Sequence, residues 1–386
     1  MTRSRTTCFS SHCINVLYRP SVFALVCYGI YLSWLLYSYG NDATVFAYIG
    51  SYFADRPGVV SQLVHEIGFG PPYWRAGFDG QFYYYIALDP FNAWQILDTV
   101  ARYQRILYPI LVRLLSFGVL STIPYLMVAV NLFFIVVGTE FFCRLLKLVD
   151  LSPWYSIGYA FNIGQLVCLR RDLSEPIMCA FILLAIYFTE TQGPSPLAGL
   201  MFSLALFTKE TAILFILPYL LWAFLWSGKH KVMSTYFGMI MILPYSVFQV
   251  LLLYRFGLLA FFGVGNLQTL TLIPFYGIVQ IQRHFLEYIS MITLVVIPAA
   301  ASILLFVHKP NRKSWHPLII AMLLNGLFLV FLPPPSYVDV FTYSRVALGL
   351  AVSWMAYGAI SRTKWMLIYS IMWSIPFQFV HVPWLA

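Results

Sequence analysis

The chain has 386 residues, of which 61% are hydrophobic and only 10% charged, with a formal net charge of +9. A soluble domain carries about 25% charged residues, so a soluble globular protein is excluded and an integral membrane protein is indicated. Apolar runs of about 20 residues point to helices rather than to the short alternating strands of a barrel, because a helix satisfies its own backbone in lipid.

The first apolar run, 20–39, follows Arg3, Arg5 and Arg19 with no small-residue cleavage site after it, so it reads as an uncleaved first span. Next comes a polar stretch, 40–105, holding Asp42, Asp55, Glu66, Asp79, Asp89 and Asp98, nearly half of the 14 carboxylates in the chain. Its centre reads Gly77-Phe78-Asp79-Gly80-Gln81-Phe82-Tyr83-Tyr84-Tyr85. Lipid-embedded proteins place carboxylates sparingly, so this loop is the natural seat of chemistry. Segment 106–120 is apolar but short, and it carries Pro109 and Arg113. Further spans are expected at 122–143, 153–169, 173–190, 196–208, 211–227, 232–254, 288–308, 316–333, 342–360 and 364–382. The expected fold is therefore an all-α integral membrane protein of about 11 transmembrane helices in one polytopic domain. Within it, 40–121 forms an outer loop with interfacial helices, 122–230 a helical core, and 231–386 additional spans.

Loop charges decide how 106–120 is placed. If it lies in the interface, the basic tail, Arg144/Lys147, Lys229/Lys231, Lys309/Arg312/Lys313 and Arg362/Lys364 share one side, 12 basic residues against Glu140, Asp150 and Glu190. If it crosses, the tail and the later basic loops face opposite sides, against the positive-inside rule. The first layout puts the N-terminus in the cytoplasm and 40–105, 170–175, 208–210, 255–287 and 333–345 on the outer face. The scattered basic residues serve orientation, not nucleic-acid binding. The cysteines Cys8, Cys13, Cys27, Cys143, Cys168 and Cys179 have no metal-ligand spacing and read as small buried hydrophobes. His65, His284 and His381 stand apart from one another and from cysteine, so no zinc site is expected. Gly263-Val264-Gly265 lacks the strand–turn–helix context of a nucleotide loop.

Several outer residues admit both a structural and a chemical reading. Asp42, just past the first span, is either a helix cap or a carboxylate at the lipid–water boundary acting as general base. Asp79 precedes Gly80, a turn signal, and is the alternative base. The aromatic cluster around it, Tyr83 included, is either an interfacial belt or a sugar-stacking platform. Arg102 and Arg105, three apart on one helix face with Tyr103 between them, suit a phosphate or anionic headgroups. Glu175 favours the first turn of the helix at Pro176, and Lys209-Glu210 is either an ion pair with neighbours or part of a ring of charge that Arg345 completes. Gln81 is a supporting candidate in the same loop.

The order of these features carries a resemblance. One span, an acidic outer loop opening with Asp42, an interfacial helix entered by Arg105-Ile106-Leu107-Tyr108-Pro109, then short spans and one ending Leu206-Phe207-Thr208-Lys209-Glu210-Thr211 resemble the GT-C superfamily of multispanning glycosyltransferases. Gly77 to Tyr84, Asp89-Pro90 and Arg102 to Pro109 look closer still to uncharacterised bacterial members. The likeness covers roughly 20–230. It implies a GT-C-like fold in the plasma (inner) membrane and a catalytic carboxylate just after the first span, which falls on Asp42. Many members carry a second acid where this chain has Ala43, so Asp79 stays a candidate.

The implied reaction moves a sugar from a polyprenyl-phosphate donor to a lipid or glycan acceptor, with inversion at the outer face. Arg102, Arg105, Lys209 or Arg345 would stabilise the leaving phosphate, and Asp42 or Asp79 would take the acceptor proton. A divalent cation on the loop carboxylates is compatible with this chemistry but not required by it. The competing class is a transporter or lipid-linked-glycan flippase without chemistry, which usually shows interrupted mid-membrane helices in repeated halves; a structural envelope subunit is a third. The layout predicts that single cysteines at Ser121 and Ser152, in a cysteine-free background, label from opposite faces of the membrane; labelling of both from one face rules it out.

Overall fold

A computed structural model of the chain describes residues 19–54, 77–226, 231–257, 259–260, 270–280, 285–308, 316–372 and 375. Arg3, Arg5, Cys8, Cys13, Asp55, Glu66, His65, Gly263 to Gly265, His284 and His381 lie outside these residues, as do Lys229, Lys309, Arg312 and Lys313. The described residues form helices and turns, with no strand among them.

Prolines open many of the helices, because a first-turn proline lacks an N–H that would have had no partner there. Pro20–Ser38, Ile123–Leu148, Glu175–Gln192, Pro196–Thr208 and Pro317–Val330 all begin this way. Side-chain caps add definition: Ser195 accepts from the Ala198 amide at 3.3 Å, and Asp339 from the Thr342 amide at 2.7 Å. Among the described residues four helices are long and apolar enough to cross a membrane: Pro20–Ser38, Leu120–Leu148, Val232–Phe256 and Phe285–Val307. Pro196–Thr208, Glu210–Leu225, Pro317–Val330 and Leu348–Ile360 are apolar but shorter. The protein is thus a helical, multi-pass membrane protein in character, with its core formed by tightly packed helices from both halves of the chain.

Several expected spans are broken. The run 153–169 divides into Pro153–Ser156, Ile157–Ala160 and Ile163–Arg170. The break falls at Asn162, whose side chain accepts from the Gly164 amide at 2.9 Å and starts a new helix. The run 342–360 divides at Ala347 into Val340–Val346 and Leu348–Ile360. The described part of 364–382 ends at residue 372, apart from residue 375. Eleven continuous spans are therefore not what the described residues present: hydropathy sums composition and does not see local caps.

Contacts sort the polar residues between two ends of the bundle. The first helix and Ile123–Leu148 run antiparallel: Tyr125 donates to the Asn41 carbonyl (2.6 Å) at one end, and Ser21 to Glu140 (3.0 Å) at the other. The second end also holds the Arg362–Asp150 pair (3.4 Å). The first end holds the whole acidic stretch of 77–105. On it, Leu107–Leu115 has nine residues, about 13 Å at 1.5 Å per residue, too short for an ~30 Å hydrocarbon layer. It buries Tyr108, Pro109 and Val112 and exposes Leu114 and Leu115, the pattern of a helix lying on the bundle.

Close backbone approach positions the acidic stretch. Gly77 adopts φ +71°, and a Cβ there would sit 2.4 Å from the Gly50 amide nitrogen. A Cβ on Gly80 would lie 2.1 Å from the Arg171 carbonyl oxygen, a backbone atom that cannot rotate away. Gly80→Ala should therefore force the Gly80–Leu88 helix off the 171 loop and cost about 1–3 kcal/mol. Thermal unfolding in detergent should show the loss; a wild-type melting temperature would contradict this packing.

Candidate active site

Arg102 and Arg105 lie on the 3₁₀ helix Val100–Arg105, where residues three apart eclipse, so both guanidiniums face the same way. They meet Asp79, which sits just before the Gly80–Leu88 helix without capping it. Asp79 Oδ1 accepts from Arg102 Nη1 at 3.0 Å; Oδ2 accepts from Arg345 Nη1 at 2.9 Å and lies 3.8 Å from Arg105 Nη1. Three arginines from two distant parts of the chain thus converge on one carboxylate whose side chain is 19% exposed.

Each of these cations has further partners. Arg102 pairs with both Asp98 oxygens (3.0 and 2.8 Å) and stacks 4.4 Å from the Phe82 ring centre. Arg105 forms a bidentate pair with Glu210 (2.8 and 2.5 Å) and donates to the Tyr83 hydroxyl at 3.3 Å, which in turn meets Ser174 Oγ at 3.0 Å. Lys209 donates to Glu175 at 2.5 Å. Glu175 is thus in the first turn of its helix, as expected, but its carboxylate also holds a lysine from another helix end. Among the described residues the buried Nε of Arg345 has no hydrogen-bond partner, and Lys209 uses one of its three donors, on Glu175. Asp79, Arg105, Glu175, Lys209, Glu210 and Arg345 line a common cavity enclosing only about 40 Å³, room for one to a few waters.

Burial alone would raise the Asp79 carboxyl, but the charges of Arg102, Arg345 and Arg105 outweigh it and hold the group well below the usual carboxylate range. Asp79 is an anion that does not accept a proton near neutral pH. Burial lowers the charged form of Arg105, yet Glu210 more than offsets this and keeps the guanidinium charged.

Asp42 lies elsewhere. Its Oδ1 accepts from the Thr44 amide (2.8 Å) and hydroxyl (2.7 Å), so the capping role is present. Among the described residues no protein hydrogen bond reaches Oδ2. Asp42 lines a separate cavity of about 670 Å³ with Gly40, Thr44, Tyr84, Leu88, Ser121 and Tyr125. Burial raises the Tyr84 phenol, and the nearby Asp42 charge adds to that. Asp42 and Asp79, the two candidate bases, thus line different cavities. They flank one short helix, Asp79 at its start and Asp42 beside Tyr84, about 8 Å further along by helical rise. Asp42 is held to the start of its own turn by Thr44.

Two supporting candidates are structural. Gln81 is fully buried and accepts from the Gly50 amide at 3.1 Å, pinning the 48–50 segment. The Tyr103 hydroxyl accepts from the Trp94 amide at 3.1 Å, and its ring packs 5.6 Å from Phe256. Among the described residues no group of three or more His, Cys, Asp or Glu is arranged to hold a metal ion.

Arg171, Asp172 and Asp339 were not singled out from sequence as site residues. Asp172 is fully buried at φ +47°, and burial pushes its carboxyl well above the ordinary range, with Asn131 and Tyr108 partly offsetting this. The signal for Arg171 and Asp172 was present, an Arg-Arg-Asp run between apolar segments, but the rings around Arg171 come from residues far away in the chain.

No protein-family model, curated protein or solved structure matches this chain.

The site generates a pH prediction. The Asp79 value in the folded protein lies below the ordinary 3.8, so its stabilisation is complete above that pH and is lost as pH falls toward the folded value. Asp79→Asn leaves Arg345 without its carboxylate, while Asp98 and Glu210 still hold Arg102 and Arg105, and should cost about 3–5 kcal/mol. The gap in melting temperature between wild type and variant should stay constant from about pH 8 to 5 and narrow only below about pH 4. A gap that closes near neutral pH would contradict an arginine-locked Asp79.

Proposed function

We propose that the protein is a membrane glycosyltransferase that moves a sugar from a polyprenyl-phosphate donor to a lipid or glycan acceptor at the outer face, with inversion. The observation that carries this reading is a division of labour along the Gly80–Leu88 helix. At its start, Arg345 and Lys209 keep spare donors while carboxylates fix their positions. Beside its second half, Asp42 keeps one carboxylate oxygen free in a roomy cavity.

The chemistry follows from these properties. An acceptor hydroxyl attacks the anomeric carbon, the bond from that carbon to the phosphate oxygen breaks, and the hydroxyl proton passes to Asp42. Asp79 is unsuited to that step because three arginines hold it well below the usual carboxylate range, which makes it too weak a base to take the proton. It serves to aim Arg345 and Arg102 instead. The leaving phosphate needs positive charge rather than a proton, and prepositioned donors supply it without reorganisation. Among the described residues Arg102 makes three hydrogen bonds, to Asp79 and Asp98, and Arg105 three, to Glu210 and Tyr83, whereas Arg345 and Lys209 make one each, so these two are the groups that exchange a carboxylate for a phosphate oxygen. The small cavity they share must widen as this exchange occurs.

The test is transfer by the purified chain in liposomes from a polyprenyl-phosphate sugar. Asp42→Asn keeps the Thr44 hydrogen bonds, since asparagine caps nearly as well, and should fold and bind donor yet lose about 10²-fold or more in turnover. Arg345→Gln should slow turnover by about 10²–10³-fold. No transfer by wild type, or near-full transfer by both variants, would overturn the proposal; in the first case movement of the lipid-linked sugar between leaflets would favour a flippase.

A further inference from the structure

A second cavity, of about 440 Å³, lies on the other side of Phe78 from the Asp79 cluster. Tyr48, Gly77, Phe78, Arg171, Asp339 and Phe341 are among its walls, closed by Pro334, Pro335, Val338 and Thr342. Arg171 is 6% exposed, and its Nε is buried without a hydrogen-bond partner. No carboxylate lies within ion-pair distance of it among the described residues. Rings surround it instead: its guanidinium carbon is 3.7 Å from the Tyr48 ring centre, 5.2 Å from Phe341 and 5.8 Å from Phe78.

A buried guanidinium is costly, and cation–π contacts recover only part of that cost. Burial lowers its ionisation to about 10, so it is still a cation at neutral pH. The contrast with the neighbouring cluster is informative: Arg102, Arg105, Lys209 and Arg345 all pair with carboxylates, whereas Arg171 faces a cavity and has no carboxylate partner among the described residues. The opposite wall supplies a different chemistry. Asp339 Oδ1 accepts from the Thr342 amide and hydroxyl (both 2.7 Å), capping the Val340–Val346 helix. Its Oδ2 has no such partner and can accept from a hydroxyl.

We propose that this cavity binds a sugar phosphate, with its phosphate on Arg171, a ring hydroxyl on Asp339 and its flat faces against Tyr48, Phe78 and Phe341. A planar guanidinium matches a phosphate with parallel hydrogen bonds. A mostly apolar pocket with a few fixed polar groups is the usual form of a small-molecule site. Phosphate alone would leave the rings uncovered, and a neutral sugar would leave Arg171 unpaired. The site stands without the transfer reaction proposed above, since a binding protein or transporter would present it equally.

The experiment is calorimetric titration of the purified full chain in nanodiscs of neutral lipid. Glucose 1-phosphate should bind at least 10-fold more tightly than inorganic phosphate or glucose. An octyl-linked glucosyl phosphate separates the source: tighter binding than glucose 1-phosphate points to a lipid-borne ligand, equal binding to a free one, and either supports the site. Arg171→Gln should weaken binding at least 10-fold while Arg362→Gln, at the opposite end of the bundle, leaves it unchanged; the titration contains no acceptor, so loss of this site is read apart from loss of transfer. Should Arg171→Gln not fold, Val338→Trp, at a partly exposed position on the cavity wall, fills the pocket and should abolish binding in a folded protein. Absence of glucose 1-phosphate binding to wild type overturns the proposal, as does undiminished binding in Val338→Trp or in a folded Arg171→Gln.

Discussion

Asp79 cannot be buried at the end of an apolar bundle without cations, and that requirement organises the structure around it. An isolated carboxylate in a low-dielectric setting carries a desolvation cost of several kcal/mol. Arg102, Arg105 and Arg345 offset it, and each therefore has to reach the same point from its own segment. Reaching it commits the 3₁₀ helix of 100–105, the Gly80–Leu88 helix and the break at Ala347 to one arrangement. The remaining charge is balanced outward, Arg105 by Glu210 and Arg102 by Asp98, while Glu175 takes Lys209.

This arrangement has a chemical consequence. A network whose carboxylates are all occupied by arginine or lysine is rigid and already charge-matched. It can position donors, but it cannot supply a proton acceptor at neutral pH. Asp42 lies outside it, with Thr44 engaging only one of its oxygens among the described residues. Arg171 is the reverse case, a cation outside the network that is matched by rings rather than by charge. The end of the bundle is thus divided into three regions: a locked ion-pair cluster, a cavity lined by a carboxylate that Thr44 holds by one oxygen, and an aromatic cavity holding a guanidinium with no carboxylate partner among the described residues.

Close packing of backbone ties these regions together. Gly80 lies against the Arg171 carbonyl, Gly77 against the Gly50 amide, and Gln81 fastens the 48–50 segment from below. A shift of the Gly80–Leu88 helix would move Asp79, Tyr84 and Phe78 together, and with them one wall of each cavity.

Composition and run length were enough to determine a helical membrane protein, because lipid leaves a spanning chain few ways to satisfy its backbone. The segment after Arg105 was legible as short and proline-bearing, with loop charge rather than length arguing against a span, and Arg102 with Arg105 was legible as a shared face from local spacing. Arg345, Lys209, Glu175 and Glu210 were legible as candidates because charge in apolar surroundings is conspicuous. Their pairing was not: the Arg345–Asp79 contact joins residues 266 positions apart, and no local rule specifies it. Nor could spacing tell that Asp42 and Asp79 occupy different cavities, that Gln81 and Tyr103 hold backbone amides, or that the runs 153–169 and 342–360 break. Those outcomes depend on which side chains meet once the helices pack. The sequence by itself determined the solvent the chain belongs in and which groups were too polar for it; only the tertiary structure decided which charge neutralises which, because that is set by distances across the bundle rather than along the chain.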